Sequence, residues 1–101
     1  MREIVFTGQY KRDLKRARKQ HLAEDDLNEV IKMLADDIPL PAAQRDHALS
    51  GEYAGLRECH IHPDWLLIYS KEDFVSREED TVCDLRILNL IRTGTHSDLF
   101  G

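Results

Sequence analysis

Five consecutive residues, Trp65-Leu66-Leu67-Ile68-Tyr69, are apolar on both sides of an extended chain, with Trp65, Leu67 and Tyr69 on one side and Leu66 and Ile68 on the other. Side chains alternate across a strand, and a strand apolar on both faces belongs in the middle of its sheet. This strand reads as Trp65 to Ser70. Leu56 to Ile61 reads as the strand before it, joined through His62-Pro63-Asp64-Trp65, where proline sits as a type I turn favours. Val82 to Arg92, rich in leucine and β-branched residues, reads as a long strand after it. The three can form an antiparallel meander.

The first half has a different period. Glu3-Ile4-Val5-Phe6 reads as a short strand, and Thr7-Gly8 as a helix start. Tyr10, Leu14, Ala17 and His21 recur at helical spacing and predict one inward stripe, with lysines and arginines facing water. Glu24, Asp25 and Asp26 open a second helix, where negative charge suits the helix dipole. Leu27, Val30, Ile31 and Leu34 form its apolar face, and Pro39 and Pro41 end it. Residues 42–55 and 93–98 read as irregular, and Lys71 to Asp80 as an acidic, solvent-exposed loop or hairpin extension. The order of elements predicts one α+β domain over residues 1–101, an N-terminal strand and helical hairpin packed on an antiparallel sheet of about four strands. A chain of 101 residues buries enough surface for such a core.

Composition narrows the function. No apolar run approaches the roughly 20 residues of a membrane span, and the N-terminus lacks the apolar run of a signal peptide, so a cytoplasmic protein is expected. Cys59 and Cys83 then read as reduced, buried thiols, with no C-x-x-C pair for redox work. The net charge of −5 argues against a polyanionic partner. Its distribution argues the other way. Residues 1–20 hold seven basic residues, Lys11, Lys15 and Arg16 among them, and only two acidic ones. Such asymmetry can steer a polyanion to one face, or can be only a solvated helix surface.

The second half collects His47, His60, His62 and His96, with Arg57, Asp64 and Arg92. Cutting RNA without a metal needs a base for the 2′-OH, a cation for charge building on the phosphate, and an acid for the leaving 5′-oxygen. Histidine and arginine can supply all three. No carboxylate cluster of the kind used by two-metal nucleases is evident, and no cofactor is expected. His60 and His62, two apart on a strand, could instead ligate zinc with His96 or Asp64. Trp65 suits a core as well as a stacked base, whereas Phe100, next to the end, needs something to dock on.

Four segments resemble the YafQ branch of the RelE/ParE toxin superfamily: Thr7 to Asp13, Asp46 to Gly51, Leu56 to Tyr69, and Ile91 to Phe100. The elements H-x-L-x-G, R-x-x-H-x-x-P-D-W-L-L-I-Y and R-T-G-T-H-x-x-L-F occur in order and span the chain nearly end to end. The resemblance implies a ribonuclease toxin of a type II toxin–antitoxin pair, which enters the ribosomal A site and cuts the messenger there. It assigns His47, His60, Asp64 and His96 to the acid–base group and Arg92 to the scissile phosphate. Trp65 and Phe100 become aromatics of the substrate site, and Lys11, Lys15 and Arg16 contacts to ribosomal RNA. It further implies a cognate antitoxin, operon repression through the antitoxin rather than DNA binding by this chain, and no metal or other cofactor. Replacing His96 or Arg92, both in or beside an exposed loop, should leave the fold intact. Two features depart from the pattern: the acidic net charge and the long 71–84 stretch. The competing readings are a catalytically weak or inactive relative that mainly binds an antitoxin, and a gyrase poison, which would not be expected to carry the full histidine set.

Overall fold

The computed structural model describes residues 1–78 and 81–101, with side chains described outside 76–83. A five-stranded sheet has the order β1-β5-β4-β3-β2. Its strands are β1 (Glu3–Phe6), β2 (His47–Ala48), β3 (Arg57–His62), β4 (Trp65–Glu78) and β5 (Thr81–Gly94). The helices are α1 (Gly8–Lys19), α2 (Glu24–Ala35) and α3 (His96–Phe100). The expected α+β architecture holds. The fifth strand is β2, from the stretch that reads as irregular. β1 runs parallel to β5, from Glu3 opposite Ile87 to Phe6 opposite Leu90, while the other pairs are antiparallel.

As its sequence predicts, β4 lies in the interior of the sheet, between β3 and β5. One of its faces meets the helices, where Trp65, Leu67 and Tyr69 pack with Cys59, Leu88 and Leu90 against Tyr10, Ala17, Leu27, Val30 and Leu34. The other face carries a smaller cluster, Leu66 and Ile68 under Leu99, flanked by Leu49, Leu56 and Ile91. Leu99 belongs to α3, so the tail read as a loop is in part a helix. Its start is fixed by a capping box: the Thr95 hydroxyl accepts from the Asp98 N–H, and the Asp98 carboxylate accepts from the Thr95 N–H.

Helix α1 begins at Thr7, whose hydroxyl oxygen accepts from the Tyr10 N–H at 3.0 Å while its own proton goes to the Ile91 carbonyl at 2.8 Å. The inward stripe is shorter than predicted. His21 is exposed beyond the helix end, in a left-handed conformation (φ 58°). Asp13, a residue the apolar pattern passes over, is buried instead.

As far as it is described, the acidic stretch is the hairpin extension of the two expected alternatives and not a loop. Lys71 to Glu78 continues β4 and pairs with β5 from Leu88 to Thr81. Acids on alternating sides of a strand are compatible with pairing as long as they find water or cations. Here they find cations: Asp73 takes Arg2 at 2.6 Å, and Asp37, after α2, takes Arg2 and Lys71 at 2.8 Å each. Expectations for Glu79, Asp80 and the Cys83 side chain lie outside the described residues. Cys59 is buried as expected, and burial pushes its thiol pKa up to about 12.

Candidate active site

Cys59 and Ile61 point into the helix-side core, so Glu58 and His60 of the same strand point to the opposite face. His62, expected on the face of His60, lies beyond a register shift in β3 and turns instead to the helix side, stacked on Trp65. β2 adds His47 to that face, because His47 pairs with Glu58. The neighbouring Asp46 pins the segment, accepting from the Tyr69 hydroxyl at 2.6 Å and from Arg57 Nε at 3.2 Å. Across the sheet one register row runs His47, Glu58, Ile68, Arg92, and the next carries His60, Leu66, Gly94. At strand spacing, the Cα atoms of His47 and Arg92 are roughly 14 Å apart on this row.

Three imidazoles from three distant segments meet here. The His60 ring lies 6.5 Å from that of His47 and 5.7 Å from that of His96, centroid to centroid. His47 and His96 are half exposed, while the His60 side chain is only 13% exposed. His96 opens α3, and the route there from β5 passes Gly94, where a Cβ would sit 2.9 Å from the Asp98 Cβ. The ring is fixed from the β3–β4 turn. Asp64 Oδ1 lies 2.7 Å from His96 Nδ1 and also accepts from the His96 N–H at 3.1 Å. These bonds from His96 hold the Asp64 carboxyl below the usual carboxylate range. With Nδ1–H donated to Asp64, Nε2 is the nitrogen left for a substrate.

His47 is oriented in the same manner. Its Nδ1 lies 2.6 Å from the Arg45 carbonyl, which can only accept, so the neutral ring keeps its lone pair at Nε2. A nearly buried carboxylate stands between two of the histidines: Glu58 Oε1 is 3.4 Å from His60 Nε2 and 3.9 Å from His47 Nε2. The sequence reading missed Glu58. Its signal was its place two residues before His60, on the same face of a strand.

Arg92 is less free than a phosphate-binding arginine was expected to be. Its Nε and one Nη each donate to the Asp13 carboxylate at 3.0 Å. Asp13 also accepts from the Thr93 N–H at 3.2 Å, standing in for a strand partner where β1 has ended at Phe6. Gln9 and Arg16 add bonds at 3.0 and 3.2 Å. Burial pushes the Asp13 carboxyl up, but the bonds from Arg92, Gln9 and Thr93 outweigh it and hold it below its ordinary value. The signal for Asp13 was an acid on the inward stripe, between Tyr10 and Leu14. The Arg92 side chain is 24% exposed, so replacing it disturbs a buried ion pair rather than an exposed loop.

The other expected residues divide. Trp65 is corrected: it is 2% exposed, its Nε1–H donates to Thr93 Oγ at 2.8 Å, and its indole is core with no face open to a base. Phe100 is 47% exposed and meets Tyr53 edge-on at 5.6 Å. Lys11 and Lys15 are exposed. Arg16 is tied to Asp13 at 3.2 Å and faces Asp98 at 3.6 Å. His62 goes to Asp26 at 2.8 Å, on α2. Among the described residues no three of His, Cys, Asp and Glu converge as a metal-binding group.

A family model described as the bacterial toxin of type II toxin–antitoxin system, YafQ, matches residues 2–101. The chain is 39% identical over 101 residues to the mRNA interferase toxin YafQ of Escherichia coli K12, covering 99% of this chain and 97% of that protein. The crystal structure of YafQ from E. coli BL21(DE3) superposes with a TM-score of 0.80 at 35% identity, covering all of both chains. YafQ in the E. coli DinJ-YafQ toxin–antitoxin complex superposes with a TM-score of 0.78 at 39% identity, covering 99% of this chain and 98% of that one. With the fold, the full-length match and the family's motifs in agreement, the chain belongs to the YafQ family of bacterial toxins of type II toxin–antitoxin systems.

Proposed function

We propose that this chain is an mRNA endoribonuclease, the activity carried in the name of its E. coli relatives, and that it cuts messenger in the ribosomal A site by acid–base chemistry without a metal. The observation that carries this reading is the row of three imidazoles, His47, His60 and His96, with ring centroids 6.5 and 5.7 Å apart on one side of the sheet. One imidazole takes the proton of a 2′-OH. That oxygen attacks phosphorus, the bond to the 5′-oxygen breaks, and a second, protonated imidazole supplies the leaving oxygen with its proton. The products are a 2′,3′-cyclic phosphate and a 5′-hydroxyl. His47 and His96, each with Nδ1 held by a neighbour, are the proton-transfer pair, with Glu58 3.9 Å from His47 Nε2. His60 lies between them, Asp64 orients His96, and Arg92 offsets charge on the phosphate through the part of its guanidinium that Asp13 leaves open. Phe100 stacks on a splayed base. Lys11 and Lys15 meet ribosomal RNA phosphates.

A cognate antitoxin is the expected partner, as DinJ is for YafQ in the E. coli complex. One observation favours the rival reading of a weak nuclease that mainly binds its antitoxin. The charges of Arg92 and Arg16 are largely answered by Asp13 and Asp98. Induced expression in bacteria, with primer-extension mapping of message ends, decides between them. In-frame cuts that disappear in His47→Ala and His96→Ala support the nuclease. Intact messages under full expression support the rival.

A further inference from the structure

Beside His60 lies a cleft of about 310 Å³, walled by the turn Ala43 to Arg45 on one side and by the end of β3, His60 to Pro63, on the other. Its position follows from the fold. Arg45 takes a left-handed conformation (φ 47°) at the end of the short 3-10 turn Ala42–Gln44, and its carbonyl is the group that fixes His47 Nδ1. The cleft therefore borders His60 itself, and its Arg45 wall is the segment that orients His47. It also holds an anomaly. Gln44 lines it, and Gln44 Oε1 is buried without a hydrogen-bond partner, the one such side-chain atom among the described residues. Folded proteins rarely leave a buried amide oxygen without a partner.

We infer that this cleft is a nucleobase subsite, in which the Gln44 amide reads one base flanking the cut through that base's exocyclic amino group. This rests on the ribonuclease reading above. The cut leaves the flanking nucleotides single-stranded, and proteins read such bases by hydrogen bonds to their edges. Glutamine presents an acceptor and a donor side by side, the pattern it uses against an amino group and an adjacent ring nitrogen. The terminal amide torsion is broad, so a turn about it brings Oε1 into the cleft. Adenine, cytosine and guanine offer an amino proton there. Uracil does not, and would leave the oxygen unpaired, which is how a hydrogen-bonding site discriminates. Gln44 touches none of the reacting groups, so its loss should alter where the chain cuts more than how fast.

The test is transcriptome-wide mapping of cut ends on induced full-length chain, wild type against Gln44→Leu. The wild type is expected to avoid uracil at one fixed position beside the cut, by roughly tenfold. Gln44→Leu should erase that bias while total cutting stays within about threefold. If the leucine variant fails to accumulate, Gln44→Met, of nearly the same shape, carries the same comparison. An unchanged base bias in a variant that still cuts overturns the subsite, and would mean that water serves the amide. A wild-type chain that cuts no message overturns both this inference and the ribonuclease reading.

Discussion

Asp13 of the first helix and Arg92 of the last strand form a two-pronged ion pair, both prongs 3.0 Å long, across the seam where the edge strand has ended. The Asp13 side chain has no exposure to solvent. The pair joins stability to function, because the arginine offered to the phosphate is also the arginine that neutralises a buried carboxylate.

Arg92→Ala should therefore lower stability by about 3 kcal/mol, since it strands a buried charge, and the melting temperature should drop by more than about 10 °C. A calorimetric scan checks this, and an unchanged melting temperature would show the pair to be incidental. Activity loss in Arg92→Ala is interpretable only beside that scan.

The same carboxylate sets an acid limit. Its folded pKa lies below the ordinary value of about 3.9. Above that value Asp13 is ionised in both states and its contribution is complete. As pH falls through the depressed folded value, the contribution is lost. Urea midpoints measured from pH 7 to pH 2 should thus be steady at first and decline below about pH 4. Asp13→Asn should be less stable at pH 7 and decline less steeply. Parallel curves for the two proteins would refute the assignment.

His47→Ala and His96→Ala remove half-exposed rings and should leave the melting temperature within a few degrees, while message cleavage falls roughly 10²- to 10⁴-fold. Asp64→Asn, which loosens His96 without deleting it, should fall less. Full cleavage by both alanine variants would remove the imidazole row from the mechanism.

Trp65 and Phe100 should separate core from substrate contact. Trp65→Phe gives up the bond to Thr93, costing about 1 kcal/mol, and should keep its cleavage. Phe100→Ala should be nearly as stable as the parent, yet lose roughly 5- to 100-fold in cleavage, the range of one stacked base. A folded Trp65→Phe that no longer cuts would put the indole back at the substrate.

Lys11→Glu with Lys15→Glu should weaken ribosome association at low salt, with the difference shrinking as ionic strength rises. Sedimentation with ribosomes at two salt concentrations reads this directly. Unchanged pelleting at low salt would leave the basic helix a solvated surface. Arg16 is a poor substitute in this experiment, because it is tied to Asp13 and faces Asp98.

Much of this architecture was legible in the order of the residues. The doubly apolar run placed β4 inside the sheet, and the 3.6-residue pattern placed both helices, because burial of an apolar face is a local constraint repeated along the chain. The acidic stretch was legible as a hairpin extension but not as paired strand throughout. Charge density suggested a loop, but Asp73 and Asp37 find Arg2, Lys71 and Arg86 from three segments, and no local pattern announces such a meeting. The C-terminal helix was hidden by its length, since five residues hold barely more than one turn of periodicity.

By itself the chain determined which chemistry was available, histidines and an arginine with no cofactor motif, and which face most strand residues take, because alternation along a strand is covalent geometry. The register shift after His60 sends His62 the other way. Only the tertiary structure decided that His47, His60 and His96 become neighbours, that Glu58 stands between two of them, and that Asp13 claims Arg92. Trp65 stayed ambiguous until packing assigned it to the core. Most of these contacts join segments far apart in the chain, up to the 79 residues between Asp13 and Arg92. They depend on strand register and helix docking, which form only when distant apolar faces are buried together.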